Sequence, residues 1–353
     1  METFMFKTVF LRISLYAFFT FIYMTMLISS GFDYLYTMSN QVILSRVLYI
    51  AADLELADHL IEPLSIEDLA QKIDCNISSL KRLLRYLIEC NVFMYNEKGL
   101  ICNNDVSLFL QKNHPHTIRP FILHDDPTRW NALGNLGFSI KTGTPSFNML
   151  YNTDFFSYIN DKPQLSKRFD EAMTIISQQE DRYIAEKIHF YGTIADIGGG
   201  KGQLLENIYK IYPSVKQLIL FDLEQVQQNI VHNPWMTYVS GSFFDPINLQ
   251  ADIFILKRIL HDWNDEQALQ ILHNVSNAMK DNSILYIVDA VIDQCRDKQL
   301  ILDIDLRLLS IFGGQERTFA EWQALCTAAN LEIVAIQELT SISHIITCKK
   351  KEA

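Results

Sequence analysis

The chain is short of several things, and each shortage excludes something. Its six cysteines (Cys75, Cys90, Cys102, Cys295, Cys326 and Cys348) are scattered, with no CxxC pair. That argues against a structural zinc site or a disulfide framework and fits a reducing compartment. Positive charge is scarce: 30 Lys and Arg stand against 41 Asp and Glu, for a net charge of -11. Broad binding to nucleic acid phosphates or anionic lipid is therefore disfavoured. There is no internal repeat and no low-complexity segment. Glycine is also sparse, thirteen in 353 residues, which makes one cluster of four stand out.

At 49% hydrophobic the chain can bury a full core, and 353 residues suit about two domains of ~150 residues each. Ile13 to Phe32 runs twenty residues without a charge, after Lys7 and Arg12. That length could span a bilayer. The run is broken by Ser and Thr, is rich in Phe and Tyr, and is followed by no AxA cleavage site. Residues 1–37 are read as an apolar extension, a helix for a partner subunit or an extension before a start at Met38, with a membrane anchor as the less favoured alternative. Cytoplasmic placement follows.

Residues 41–60 carry apolar positions at helical spacing. Ser65 opens SIEDLAQKI as an N-cap, with Asp68 three residues on. A turn at 74–76 leads to SLKRLLRYLIEC, and 92–102 reads as a hairpin around Lys98 and Gly99. Two helices and a hairpin resemble a winged helix. Lys81, Arg82 and Arg85 on the second helix suit either a DNA-recognition face or a solvated face on a dimer scaffold. The acidic chain, with no wider basic patch, favours the scaffold, so no nucleic acid partner is expected. Pro and Gly scattered through 103–150 mark a boundary near 150, and a helix from about Ser166 to Ile188 links the halves.

Beyond that point strand and helix alternate. Strands are expected at 193–197, 217–221, 237–239, 252–256, 284–288, 332–336 and 342–348. Helices are expected at 203–211, 224–231, 265–279, 300–312 and 320–329. The pattern predicts an α/β domain with a mainly parallel, Rossmann-like sheet over 151–353. Asp196–Gln203 reads DIGGGKGQ, with Gly198, Gly199, Gly200 and Gly202 between the first strand and the first helix. Asp222 follows at the end of the next strand. A Gly turn at a helix N-terminus with an acid about 20 residues on is a nucleotide cradle, the acid accepting from ribose hydroxyls. The spacing D-x-G-x-G-x-G departs from the dinucleotide pattern. Asp196 ahead of the glycines would repel a pyrophosphate and suit a cofactor carrying sulfonium and ammonium groups, which favours S-adenosyl-L-methionine over a nicotinamide dinucleotide.

These residues, with LYIAADLELADHL at 48–60, LKRLLRYL at 80–87, FDEAM at 169–173, FDLEQV at 221–226, LKRILHDWNDEQALQIL at 256–272 and GGQERTFAEW at 313–322, resemble small-molecule O-methyltransferases with an N-terminal winged-helix dimerisation domain. Acetylserotonin, caffeate and polyketide O-methyltransferases are of that type. The resemblance runs from about Leu44 to Lys349. It implies a class I methyltransferase sheet preceded by a mostly helical dimerisation domain over 38–150, a homodimer, a small aromatic or polyketide-like acceptor and no metal. His261 of HDW, beyond a strand's C-terminal end, is the expected base, supported by Glu316 and by Asp289, where many relatives carry Glu. The resemblance places Leu223, Phe243, Ser242 and Lys257 with Asp196, Gly198, Gly200, Gly202 and Asp222 at the cofactor, Ser242 standing where relatives carry Asp. It places Met173 and Arg258 at the acceptor, and Trp130, with Phe138 and Phe147, is expected in an aromatic slot. The alternatives are a cofactor-responsive DNA-binding regulator and a non-catalytic relative that binds the cofactor.

Overall fold

The structure, a computed structural model, describes residues 31–351 apart from Asn229. All but the last two residues of the apolar run 13–32 lie outside them. Among the described residues, no helix is long and apolar enough to cross a membrane. The chain divides into two compact units, the first ending at Arg119 and the second beginning at Pro120.

In the first unit, helices Val42–Asp53 and Leu56–His59 replace the single helix that the spacing over 41–60 suggests. Glu55 breaks it with a left-handed φ of 54°, and its carboxylate takes Arg119 Nη2 at 3.1 Å and Lys112 Nζ. Ser65 caps helix Ile66–Lys72 by accepting from Asp68 N at 3.0 Å. Asn76 caps Ile77–Glu89, which buries Leu80, Leu84 and Leu87 and leaves Lys81, Arg82 and Arg85 exposed. Strands β1 (Phe93–Tyr95) and β2 (Ile101–Asn103) pair antiparallel around Gly99, whose φ of 72° suits the turn.

The second unit begins thirty residues before the boundary expected near 150. The Pro and Gly residues there punctuate short helices rather than a linker. Asp126 caps Pro127–Gly134, with Pro127 in the first turn, and Gly143 closes Leu136–Thr142 in the left-handed region. These helices and Ser146–Tyr151 pack on Lys298–Ile311 of the same unit, joined by Ser146 Oγ donating to Ser310 O at 3.2 Å. Phe147, fully buried, forms an aromatic core here with Phe155, Ile159 and Ile311.

The sheet has seven strands: β3 (Thr193–Ile197), β4 (Gln217–Asp222), β5 (Met236–Ser240), β6 (Ile253–Lys257), β7 (Ile284–Asp289), β8 (Leu331–Glu338) and β9 (His344–Lys350). Their order is β5-β4-β3-β6-β7-β9-β8, with β3 to β7 parallel and β9 antiparallel to both neighbours. Successive side chains point to opposite faces. Ala195, Ile197, Phe254 and Leu256 pack towards helices Asp265–Ala278 and Phe319–Ala328. Ile194, Leu218, Leu220, Ile253 and Ile255 pack with Ile184, Leu205 and Ile208. Burial on both faces is why these strands read as continuous apolar runs. Each fully buried Leu or Ile contributes about 1.5–3 kcal/mol. The helix expected over 224–231 stops at Gln227. The Gln227 side chain turns inward instead and donates to Val239 O at 2.8 Å and Leu220 O at 3.3 Å, between β4 and β5. Strand order reverses between β3 and β6, so the carboxyl ends of those two strands frame the crevice where such sheets bind ligands.

Candidate active site

The glycine run leaves β3 at that crevice. Gly198, Gly200 and Gly202 have φ of 76°, 57° and 76°, a backbone that side chains oppose. Gly200 N donates to Asp222 Oδ2 at 2.8 Å and Leu223 N donates to Oδ1 at 2.7 Å, so one carboxylate ties the loop to the end of β4. Burial nevertheless pushes the Asp222 carboxyl up against those two amides. Asp196, within β3, is pushed up to about 7, by burial first and then by the Asp181 and Asp222 carboxylates, with Lys257 opposing. An arriving cation would hold Asp196 ionised. A Cβ on Gly200 would meet nothing within 4 Å, so the loop backbone is open to a ligand. The cradle fits an adenosyl cofactor with a cationic end.

Leu223 is exposed just beyond Asp222. Phe243 and Phe244 pack edge-on to Trp263, at 6.0 and 4.8 Å between ring centres. Ser242 Oγ is engaged in its own turn, accepting from Phe244 N at 3.2 Å. Lys257, expected at the cofactor, is ion-paired with the fully buried Asp181, whose Oδ2 has no partner among the described residues. Arg258, expected at the acceptor pocket, pairs with Glu180, 2.7 Å from Nη2 to Oε1 and 3.3 Å from Nε to Oε2. Its left-handed φ of 56° swings it there. Met173 is half-buried on helix Pro163–Lys187 and Trp130 half-buried on Pro127–Gly134. Phe147 lies in the core rather than in a slot.

His261 sits in a single helical turn, Leu260–Asp262, beyond β6. Its Nδ1 is 2.9 Å from Glu316 Oε1 and 3.6 Å from Asp289 Oδ1, while Nε2 is 3.7 Å from Asp262 Oδ1. Only the first is a hydrogen bond. The short Asp289 arm stops beyond bonding length, and both its oxygens are buried without partners among the described residues. Burial disfavours the charged ring, yet the Glu316, Asp289 and Asp262 carboxylates push His261 up to about 9. Burial pushes Asp289 up to about 7 despite the ring beside it, whereas His261 and the nearby arginines hold Glu316 low against its burial. His261, Asp289 and Glu316 offer ligand atoms within 4.8 Å of one another, a donor set able to accept a cation.

The loop bearing Glu316 is pinned to the loop bearing His261. Gln315 N donates to His261 O at 2.9 Å and Glu316 N to Asp305 Oδ1 at 2.8 Å. Arg317, fully buried, donates to Leu260 O, Trp263 O and Asp265 Oδ1, each at 2.9 Å, and lies over the Trp322 ring. Sequence reasoning passed over Arg317, although it stands inside the GG-x-ERT block. It also missed Glu180, Asp181 and Arg129, which on a sequence look like solvated helix charges.

A seven-stranded sheet of this order, with a glycine cradle after its first strand and a His–Glu pair beyond β6, defines a class I methyltransferase. Residues 130–332 match the O-methyltransferase domain and residues 36–112 the O-methyltransferase dimerisation domain. The chain belongs to the O-methyltransferase family, and is an S-adenosylmethionine-dependent enzyme. It is 29% identical over 316 residues to the phenazine O-methyltransferase PhzM of Lysobacter antibioticus, covering 86% of this chain and 92% of that one. It superposes on the mitomycin 7-O-methyltransferase MmcR with a TM-score of 0.84, at 26% identity, over 93% of this chain and all of the other. On CalO1, a methyltransferase of calicheamicin biosynthesis solved with SAH bound, the TM-score is 0.77 at 27% identity, over 90% and 97% of the chains.

Proposed function

We propose that the protein methylates a hydroxyl of a small aromatic or polyketide-like compound, with His261 as the base that takes the hydroxyl proton. Relatives named for phenazine and mitomycin acceptors support that substrate class. When bound, the cofactor supplies an electrophilic methyl group on cationic sulfur. The open backbone of the Gly198–Gly202 loop and the exposed Leu223 would hold it, with Asp222 freed from the Gly200 amide to accept from ribose hydroxyls. Phe243 and Ser242 would border the base, and Asp196 would balance its positive charge. Asp181 fixes Lys257, and Glu180 fixes Arg258, so these two cations position the end of β6 rather than touch the acceptor. Glu316 holds His261 Nδ1, which leaves Nε2 for the acceptor hydroxyl. Asp289 adds negative charge that stabilises the ring once it is protonated.

The observation that carries this reading is the 2.9 Å contact between His261 Nδ1 and Glu316 Oε1 beside the glycine cradle. Mass spectrometry of reactions with isotopically labelled methyl donor, over a panel of phenols and hydroxy-heteroaromatics, should show methyl transfer. His261→Ala should lower turnover about 10²–10⁴-fold. Unchanged turnover would remove His261 from the chemistry. We further propose a homodimer formed through residues 31–112, which the match to a dimerisation domain supports.

A further inference from the structure

Helix Pro127–Gly134 carries a buried cation that the proton transfer does not use. Arg129 is 7% exposed, and its Nε and Nη1 have no hydrogen-bond partner among the described residues. The carboxylates beside it are engaged elsewhere. Both oxygens of Asp125 accept from Arg307 Nη1 at 2.7 Å, leaving Asp125 4.0 Å from Arg129 Nε. Asp126 caps its own helix, accepting from Thr128 N and Arg129 N. The Arg129 guanidinium carbon lies 5.3 Å from the ring centre of Phe155 and 5.7 Å from that of Phe312. Phe156 stacks on Phe312 at 5.3 Å and lies 6.2 Å from Trp263, two residues after His261. Burial pushes the Asp262 carboxyl up to about 6, while the His261 and Arg129 charges pull it down, so Arg129 lies within electrostatic reach of the turn that bears His261.

Aromatic faces stabilise a cation, but they give its in-plane N–H groups nothing to bond. A guanidinium held out of water with open N–H groups is costly unless an anion completes it. Its planar fork matches a carboxylate in two parallel hydrogen bonds. Resting on the methyltransferase reading above, we propose that the acceptor is an aromatic hydroxy acid. Arg129 grips its carboxylate, Phe312, Phe156 and Trp263 flank its ring, and its hydroxyl is presented to His261.

The test is calorimetry on protein loaded with S-adenosylhomocysteine. It is titrated with 3-hydroxy-2-naphthoate and with 2-naphthol, which shares the ring and hydroxyl but lacks the carboxylate. The acid should bind about 10–100-fold more tightly, the worth of a charge-assisted pair. In Arg129→Met that ratio should fall to near one, and Arg129→Lys, which keeps the charge and tests the site if the Met variant does not fold, should restore only part of it. Equal affinities in the unmodified protein, or a ratio that survives in Arg129→Met, would overturn the proposal. So would binding of neither compound by protein that has taken up S-adenosylhomocysteine, which leaves the methyltransferase reading standing. Failure to take up S-adenosylhomocysteine would instead sink that reading, and the acceptor proposal with it.

Discussion

His261 has a pKa pushed up to about 9, which sets a condition on its use as a base. In the ligand-free protein at neutral pH the ring holds a proton and cannot accept another. The ratio kcat/KM should therefore climb with pH and level off near 9, because it reports the free enzyme. In Glu316→Gln the nearest carboxylate is gone, so the rising limb should move about 1–3 pH units down. Peak turnover should also fall, because the ring loses its orienting bond. A limb that stays in place would assign the titration to another group. The same shift has a stability side. A ring whose folded pKa lies above its ordinary 6.5 stabilises the fold fully below that value and loses the contribution as pH rises through about 9. Asp196 trends the same way with pH, although for it the charged form is the disfavoured one. Its carboxyl is raised, so its ionisation destabilises the fold increasingly as pH rises from the ordinary 3.8 through about 7. Asp196→Asn should thus raise Tm at pH 8 more than at pH 5 while weakening S-adenosylhomocysteine binding. Scanning calorimetry at the two pH values and a cofactor titration check both halves; a Tm that falls equally at both would show that Asp196 is structurally required.

Among the elements, the loop Gly313–Arg317 does more than its length suggests. A Cβ on Gly314 would run into the His261 carbonyl oxygen and the Asp262 backbone, so only glycine lets the two loops lie together. Arg317 then fastens them with its three 2.9 Å bonds. Arg317→Ala would strand the buried Leu260 carbonyl and the half-buried Trp263 carbonyl and should cost about 3–5 kcal/mol in denaturant unfolding. Arg317→Lys should not recover it, because one ammonium cannot reproduce a fork reaching three acceptors. A loss below ~1 kcal/mol for Ala would mean the loops are held elsewhere. Much of this architecture was legible beforehand. Strands β3, β4, β6 and β7 are buried on both faces, so runs such as TIADI and QLILFD announce themselves between turns. The glycine cradle and the HDW block were legible because their chemistry restricts residue choice. What stayed hidden depends on side chains reaching across the fold. Gln227 turning inward ends its helix early, Glu55 breaks a periodic stretch through backbone conformation, and buried Arg129, Arg258 and Arg317 look like surface charges. The boundary near 150 was misplaced for the same reason, since only tertiary packing joins residues 120–151 to helix Lys298–Ile311.

At the scale of the whole molecule, the first unit presents apolar surface that its described residues do not cover. Phe32 is 74% exposed, Leu35 66% and Tyr36 64%, and Val42 and Ile43 are also exposed. Five such side chains on helices Gly31–Ser39 and Val42–Asp53 are more than a scatter of single exposed residues. Tyr36, Val42 and Ile43 lie at the start of the stretch that matches a dimerisation domain, with Phe32 and Leu35 just before it, so a second copy of the chain is the occupant proposed for them. Burying one large apolar side chain at such a contact gives about 1.5–3 kcal/mol, or roughly 10–100-fold in Kd. Sedimentation equilibrium should thus find a dimer at micromolar concentration. Leu35→Glu with Tyr36→Glu should weaken it by roughly 100-fold or more, since each change removes apolar contact and introduces a charge. Both residues are exposed in the isolated chain, so far-UV circular dichroism of the double variant should be unchanged. A variant that is monomeric and keeps its secondary structure would place the contact on these helices. An undisturbed dimer would move it elsewhere in residues 31–112, and a monomeric unmodified protein would end the dimer proposal.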